Sequence, residues 1–243
     1  MLLNAKMEVI LITKLVILRF PWWWNCVRHE LIINMTFIFI YGTFGSPEEA
    51  WFPWLKNELE RLGHEVIIPQ VPTDDWSEVS KLKIEEYQSR QNLTAWTDTF
   101  EKLLPNIQNN KELCFVGHSL GPMFILLMAE KYGLHAQNAY FVAPFFHPAT
   151  EEELKDTSAA LIHKANITFY YHDFDFVRLR SLISQSTVIY SDDDPNVHEW
   201  EALEFAEKLG SKTIKLTGLG HMSTDSHLLK FPQLLDAIKQ DNP

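Results

Sequence analysis

The sequence predicts a three-layer α/β fold, with a mostly parallel sheet of roughly six strands lying between helices. Three observations predict it. From residue 35 onward, short runs of β-branched and aromatic residues alternate with helix-length amphipathic runs, and that alternation builds a parallel sheet covered on both faces. Most of the apolar runs end in glycine-rich or acidic turns, where an open α/β sheet carries its ligand-binding groups. With 243 residues, 46% apolar and 22% charged, the chain can bury a sizeable core and is most simply one domain.

Residues 1–34 stand apart. The run 9–24 is apolar but broken by Lys14, Arg19 and Pro21, so it offers no uninterrupted stretch of about 20 apolar residues to span a bilayer. Phe20-Pro21-Trp22-Trp23-Trp24 stands where a signal peptide needs small residues for cleavage. This segment reads as an extension outside the fold, the product of a start assigned upstream of Met35; a membrane-surface anchor and an export signal are the alternatives. The folded domain is expected over 35–243.

Residues 36–41 (TFIFIY) form the first strand by their β-branched and aromatic content. The turn Gly42-Thr43-Phe44-Gly45 follows. Ser46, Pro47 and Glu49 then supply an N-cap, a proline for the first helical turn and a capping-box glutamate, so a helix is expected from there until Gly63. Its inward face would be Trp51, Trp54 or Leu55, Leu59 and Leu62. Residues 65–69 make the second strand and lead into a polar segment; 77–91 is charged and ambiguous. Leu93, Trp96, Phe100, Leu103 and Leu104 keep helical spacing up to Pro105. A strand at 113–116 runs through Gly117-His118-Ser119-Leu120-Gly121 into a helix with Pro122 in its first turn, closed by Gly133. Residues 139–143 are a fourth strand. The stretch 144–184 has no clear repeat, and its aromatic part (FYYHDFDFVRL) is expected to form a small lid. Residues 187–190 are a fifth strand, 199–209 a helix stopped by Gly210, 213–216 a sixth strand and 232–240 a closing helix.

The crossing at Ser119 is the stretch around which the chemistry is organised. G-x-S-x-G arises by chance in roughly one chain in ten of this length, so its setting between strand and helix carries the signal. There it makes a sharp turn that forces the serine hydroxyl outward, with glycines where a side chain would strike neighbouring backbone. A serine hydroxyl attacks only once a histidine takes its proton, and the histidine needs a carboxylate to hold its tautomer. The fifth strand ends in Asp192-Asp193-Asp194 and the sixth leads to Gly220-His221. Asp194 is preferred because Val197, three positions on, starts a helix; Asp192 and Asp193 are the fallbacks. His221 is preferred to His198 and His227 because only it follows a strand and a glycine-rich turn. The order Ser, Asp, His is that of α/β-hydrolases. An oxyanion would be held by two backbone N–H groups, from Leu120 and from Thr43, with Phe44 as the alternative to Thr43. Gly42, Phe44 and Phe146 are expected to touch substrate, with Trp51 and Trp76 as further pocket wall.

The segments YGTFGSPEEAWFPWL, GHSLGP, YSDDDPNV and GLGHM together resemble the small serine-hydrolase family of α/β-hydrolases that includes retinoblastoma-binding protein nine and bacterial relatives. The resemblance covers residues 35 to the C-terminus and implies Ser119 as nucleophile, Asp194 as acid and His221 as base. Tyr41 stands where many α/β-hydrolases carry histidine. The Leu-x-Cys-x-Glu motif for pocket-protein binding is absent, so that partner does not carry over. The implied activity is a serine hydrolase of carboxylesterase type acting on short acyl esters, without cofactor or metal.

Other readings of the same residues compete with this one. Asp173-Phe174-Asp175-Phe176-Val177 matches the pattern of aspartate-nucleophile phosphatases but lacks enough sequence after it for that fold. A metal site from Asp192, Asp193, Asp194 and His198 would suit magnesium or calcium, and a non-catalytic binding module could keep the same fold. The formal net charge of -11, from 21 basic and 32 acidic residues, repels nucleic acid and anionic membranes. Two cysteines, Cys26 and Cys114, fit a reducing, cytoplasmic setting. Sequons at Asn34, Asn92 and Asn166 matter only in a secreted chain.

Overall fold

The computed structural model describes residues 34–170 and 172–242, so the extension expected over 1–34 lies, Asn34 apart, outside the described residues. In chain order the elements are β1 (Thr36–Ile40), α1 (Phe52–Arg61), β2 (Glu65–Ile67), α2 (Trp76–Val79), α3 (Leu93–Glu101), α4 (Leu104–Ile107), β3 (Leu113–His118), α5 (Gly121–Tyr132), β4 (Ala136–Val142), α6 (Thr157–Asn166), α7 (Phe176–Leu182), β5 (Ile183–Ser191), α8 (Glu199–Leu209), β6 (Lys212–Leu216) and α9 (Pro232–Asp241). The strands form one sheet in the order β2-β1-β3-β4-β5-β6. Every pairing is parallel, which makes the sheet more uniform than expected.

The chain steps from β1 outward to β2, then returns to β3 and steps the other way. Right-handed crossovers therefore put α1 and α5 on opposite faces. On one side α3 meets α5 through Trp96 against Phe124, centroids 5.3 Å apart, and α7 contacts both α5 and α8. On the other, Trp51 at the head of α1 meets Phe231 at the head of α9, 5.5 Å apart. Between the layers lie fully buried Phe37, Phe39, Phe115 and Phe141. Continuous apolar strands of this kind are what burial on both faces demands.

Several boundaries moved for physical reasons. The first helix begins at Phe52, not at Ser46. Residues 46–50 are spent on turns: Ser46 Oγ accepts from the Glu48 amide at 3.3 Å, and Ala50 has φ 49°, a left-handed value no helix can run through. Pro53 takes the place in the first turn assigned to Pro47. Pro105, expected as a stop, opens α4. The helix after Ser119 and the one from 199 to 209 end on Gly133 and Gly210, both left-handed, as expected of C-terminal glycines. The small lid is built mainly from 147–166, with Tyr170 of the aromatic stretch joining it at the cavity wall. Phe169 is wholly buried, 5.0 Å from Trp96; Phe174 and Phe176 pack on Phe146.

Register aligns the rim. Ile40 sits opposite Gly117, His118 opposite Val142 and Ser191 opposite Leu216. The turns after β1, β3, β4, β5 and β6 thus open on one edge.

Candidate active site

Ser119 follows β3 directly and has φ 58°, a strained value for a residue with a side chain. Its amide is tied to the Val142 carbonyl at 2.9 Å, which fixes the turn against β4. The glycines fit the close approach inferred for them. A Cβ on Gly121 would lie 2.2 Å from the Ile40 carbonyl oxygen, and one on Gly117 2.8 Å from the Pro122 nitrogen. A Cβ on Gly42 would fall 2.7 Å from Ser119 Cβ, so the loop after β1 lies directly against the serine.

Ser119 Oγ is 3.0 Å from His221 Nε2. His221 Nδ1 is 2.8 Å from Asp194 Oδ2 and 3.0 Å from Oδ1. The Asp194 side chain is 3% exposed, and its Oδ1 accepts from the amides of Asn196 (2.8 Å) and Val197 (3.0 Å). The three aspartates diverge. Asp193 accepts from Ser191 Oγ at 2.6 Å and from the Gly220 amide at 2.9 Å, bonds that hold its carboxyl below the usual range. Asp192 accepts from Thr217 Oγ1 at 3.0 Å. These two lace the β5 and β6 turns together, and Asp194 is left to meet the imidazole. His198, the fourth member of the metal alternative, pairs with Glu153 at 3.0 Å, and His227 is exposed.

His118 emerges as a support that sequence reasoning passed over, although it sits inside the motif. It is buried, and its Nε2 lies 2.8 Å from the His221 carbonyl oxygen. Only Nε2–H can make that bond, so the His118 ring carries a proton on Nε2. Burial first, then the nearby His221, pushes its pKa down to about 3. Trp51 Nε1–H donates to the next carbonyl, that of Met222, at 2.9 Å. Two buried donors thus grip the histidine loop where Met222 holds a left-handed φ of 51°.

The turn after β1 is gripped in the same way. Gln91 Oε1 accepts from the Phe44 amide at 3.3 Å, while Asn166 Oδ1 accepts from Thr43 Oγ1 at 2.7 Å and from Gln91 Nε2 at 2.8 Å. The Phe44 amide is therefore occupied. The Thr43 and Leu120 amides donate to no other described residue. Gln91 and Asn166 are each 1% exposed and lie 75 residues apart; no local pattern could have paired them. Tyr41, at the position noted for histidine, is buried and donates to the Val71 carbonyl at 3.1 Å.

Ser119 and His221 open on a cavity of about 820 Å³, roofed by α6 and walled by Gly42, Thr43, Phe44, Trp76, Phe145 and Trp200. Two expected wall residues are elsewhere. Phe146 turns away to stack on Phe205, centroids 4.4 Å apart, and Phe145 takes its place; Trp51 is wholly buried in the core. Glu49 also lines the cavity, its carboxyl pushed up to about 7 by burial and by Asp225. The phosphatase alternative finds no support: among the described residues no strand leads directly into Asp173, which is exposed, and Asp175 caps α7 by accepting from the Arg178 amide at 2.9 Å.

A family model described as serine hydrolase matches residues 37–240. Among solved structures, the chain is similar to the ydeN gene product from B. subtilis, with TM-score 0.68 and 21% identity over 86% of this chain and 98% of that one. It is also similar to polyneuridine aldehyde esterase, studied as its H244A mutant, with TM-score 0.59 and 13% identity over 86% of this chain and all of the other. A third likeness is to a carboxylesterase structure from Nitrososphaera gargenis, with TM-score 0.58 and 13% identity over 86% and 90% of the two chains. A search of curated protein sequences found no significant match. The three structural likenesses, together with the all-parallel six-stranded sheet, establish an α/β-hydrolase fold.

Proposed function

This chain belongs to the serine hydrolase family, and on that premise we propose that it cleaves small carboxylic esters through an acyl-enzyme on Ser119. The observation that carries the proposal is the unbroken line of hydrogen bonds from Asp194 through His221 to Ser119 Oγ. In this mechanism His221 Nε2 takes the Ser119 proton as Oγ attacks the ester carbonyl carbon. Asp194 keeps the other imidazole proton on Nδ1 and stabilises the imidazolium. The oxyanion is received by the amides of Leu120 and Thr43, the Phe44 amide being engaged by Gln91. His221 returns its proton to the departing alcohol, then activates the water that releases the acid.

Two of the structurally similar proteins are described as esterases, which supports an ester as the substrate. The roof formed by α6 favours short acyl chains over long lipids. A cytoplasmic setting belongs to the same reading, supported by the buried free thiol of Cys114; no helix among the described residues is long and apolar enough to cross a membrane.

The test is labelling by a fluorophosphonate probe, with p-nitrophenyl esters of rising chain length. Wild type should label on Ser119, and Ser119→Ala and His221→Ala should not. Asp194→Asn should lower kcat by about 10⁴-fold with little change in KM. A folded wild-type protein that neither labels nor turns over esters would overturn the proposal.

A further inference from the structure

We infer that the cavity selects esters carrying an ammonium-type cation and rejects anionic ones, with Glu49 and Asp225 making the choice. The inference rests on the hydrolase reading and adds the substrate class. Among the described residues, the cavity is lined by the carboxyls of Glu49, Glu153, Asp156, Glu201 and Asp225 and by no lysine or arginine. Three of these carboxyls have structural work. Glu153 accepts from the Thr150 amide at 2.7 Å and pairs with His198. Asp156 caps α6 by accepting from the Ala159 amide at 2.9 Å, and Glu201 accepts from the His198 amide at 3.0 Å.

Glu49, though its carboxyl accepts a hydrogen bond from the Ser46 backbone, and Asp225 differ from these in capping no helix. Neither is ion-paired with a cation among the described residues, and the charge of Asp225 bears on the Glu49 carboxyl. Both line the cavity onto which Ser119 and His221 open. Glu49 belongs to the turn after β1: its Oε1 lies 3.1 Å from where a Cβ on Gly45 would stand, and Gly45 is bonded to Gly42, which abuts Ser119. Asp225 lies four residues after His221. The cavity that holds the serine thus carries two carboxyls without an ion-pair partner among the described residues. Once Glu49, raised to about 7 by burial and by Asp225, is ionised, the pair attracts a cation and repels an anion. Phe44 and Trp76, ring centroids 5.0 Å apart in the same wall, add the aromatic faces that quaternary ammonium groups favour.

The test compares isosteric esters that differ in charge. On the acyl side these are p-nitrophenyl 4-(trimethylammonio)butanoate, its neutral 5,5-dimethylhexanoate isostere and the anionic half-ester of glutarate; on the alcohol side, butyrylcholine and 3,3-dimethylbutyl butyrate. We expect kcat/KM for the cationic member of at least one series to exceed the neutral isostere by about tenfold, and the anionic ester to lie about tenfold below neutral. E49Q/D225N should compress that ladder. Independently of turnover, isothermal titration with phenyltrimethylammonium should show binding to wild type that weakens about tenfold in E49Q/D225N. Neutral esters cleaved as well as cationic ones in both series would overturn the inference while leaving the hydrolase standing. Absence of phenyltrimethylammonium binding would also overturn it. Binding sensitive to E49Q/D225N in a protein that fluorophosphonate does not label would uphold the cation site and remove the hydrolase.

Discussion

His118 lines the cavity beside Ser119, and on the proposed mechanism it serves the reaction by holding the base in place. Its Nε2–H bond to the His221 carbonyl holds the base by its backbone, leaving both ring nitrogens of His221 for Ser119 and Asp194. His118→Ala should therefore lower kcat by about 10- to 100-fold with a smaller effect on KM. His118→Gln, which can still donate, should recover much of the loss; equal losses in both variants would contradict a positioning role. Glu49 gives a second test at this scale, through pH. Its folded pKa of about 7 lies above the ordinary 4.5, so the native state holds this proton more tightly than the unfolded chain does. The contribution to stability must then fall as pH rises from about 4.5 through 7, with the full penalty above that range. Glu49→Gln removes the penalty. Thermal melts should show the variant gaining on wild type between pH 5 and pH 8, by about 1–2 kcal/mol once the group's partial exposure is allowed for.

At the scale of elements, the site depends on how closely the β3–α5 turn nests against β1. A methyl group on Gly121 would strike the Ile40 carbonyl at 2.2 Å, and backbone cannot give way as a side-chain tip can. Gly121→Ala should cost more than about 3 kcal/mol, read as a large drop in melting temperature or as loss of soluble protein. Much at this scale was legible in the sequence, because the deciding signals are local. Gly117, Ser119 and Gly121 sit within five residues, and Gly133 and Gly210 stop their helices where they stand. The first helix was misplaced because Ser46, Pro47 and Glu49 carry the chemistry of a helix start but are committed to turns, which only the left-handed Ala50 reveals. Phe145 and Phe146 could not be told apart, since neighbours in an irregular segment have no period to say which faces inward. Gln91 and Asn166 were out of reach for another reason. Their meeting depends on the fold bringing residues 75 positions apart into contact, and Asn166 announced itself only as a sequon.

For the whole molecule, the sheet gathers Ser119, Asp194 and His221 from the ends of three separate strands onto one rim. Its last helix, α9, is fastened back to the middle of the sheet, with Asn138 Nδ2 donating to Asn242 at 2.8 Å and Tyr140 to Asp241 at 3.1 Å. Asn138→Ala with Tyr140→Phe should loosen this clasp, giving a lower melting temperature and faster amide exchange in α9 with little change in the fluorophosphonate reaction of the folded protein. The spacing of the reacting groups along the chain also bears on synthesis. Ser119 and His221 are 102 residues apart, so a ribosome adding about 5–20 residues per second exposes the serine roughly 5–20 s before its base exists. Throughout that interval the nascent chain carries an ordinary alcohol, not a nucleophile. On the proposed mechanism, reactivity arrives only when the final strand has docked.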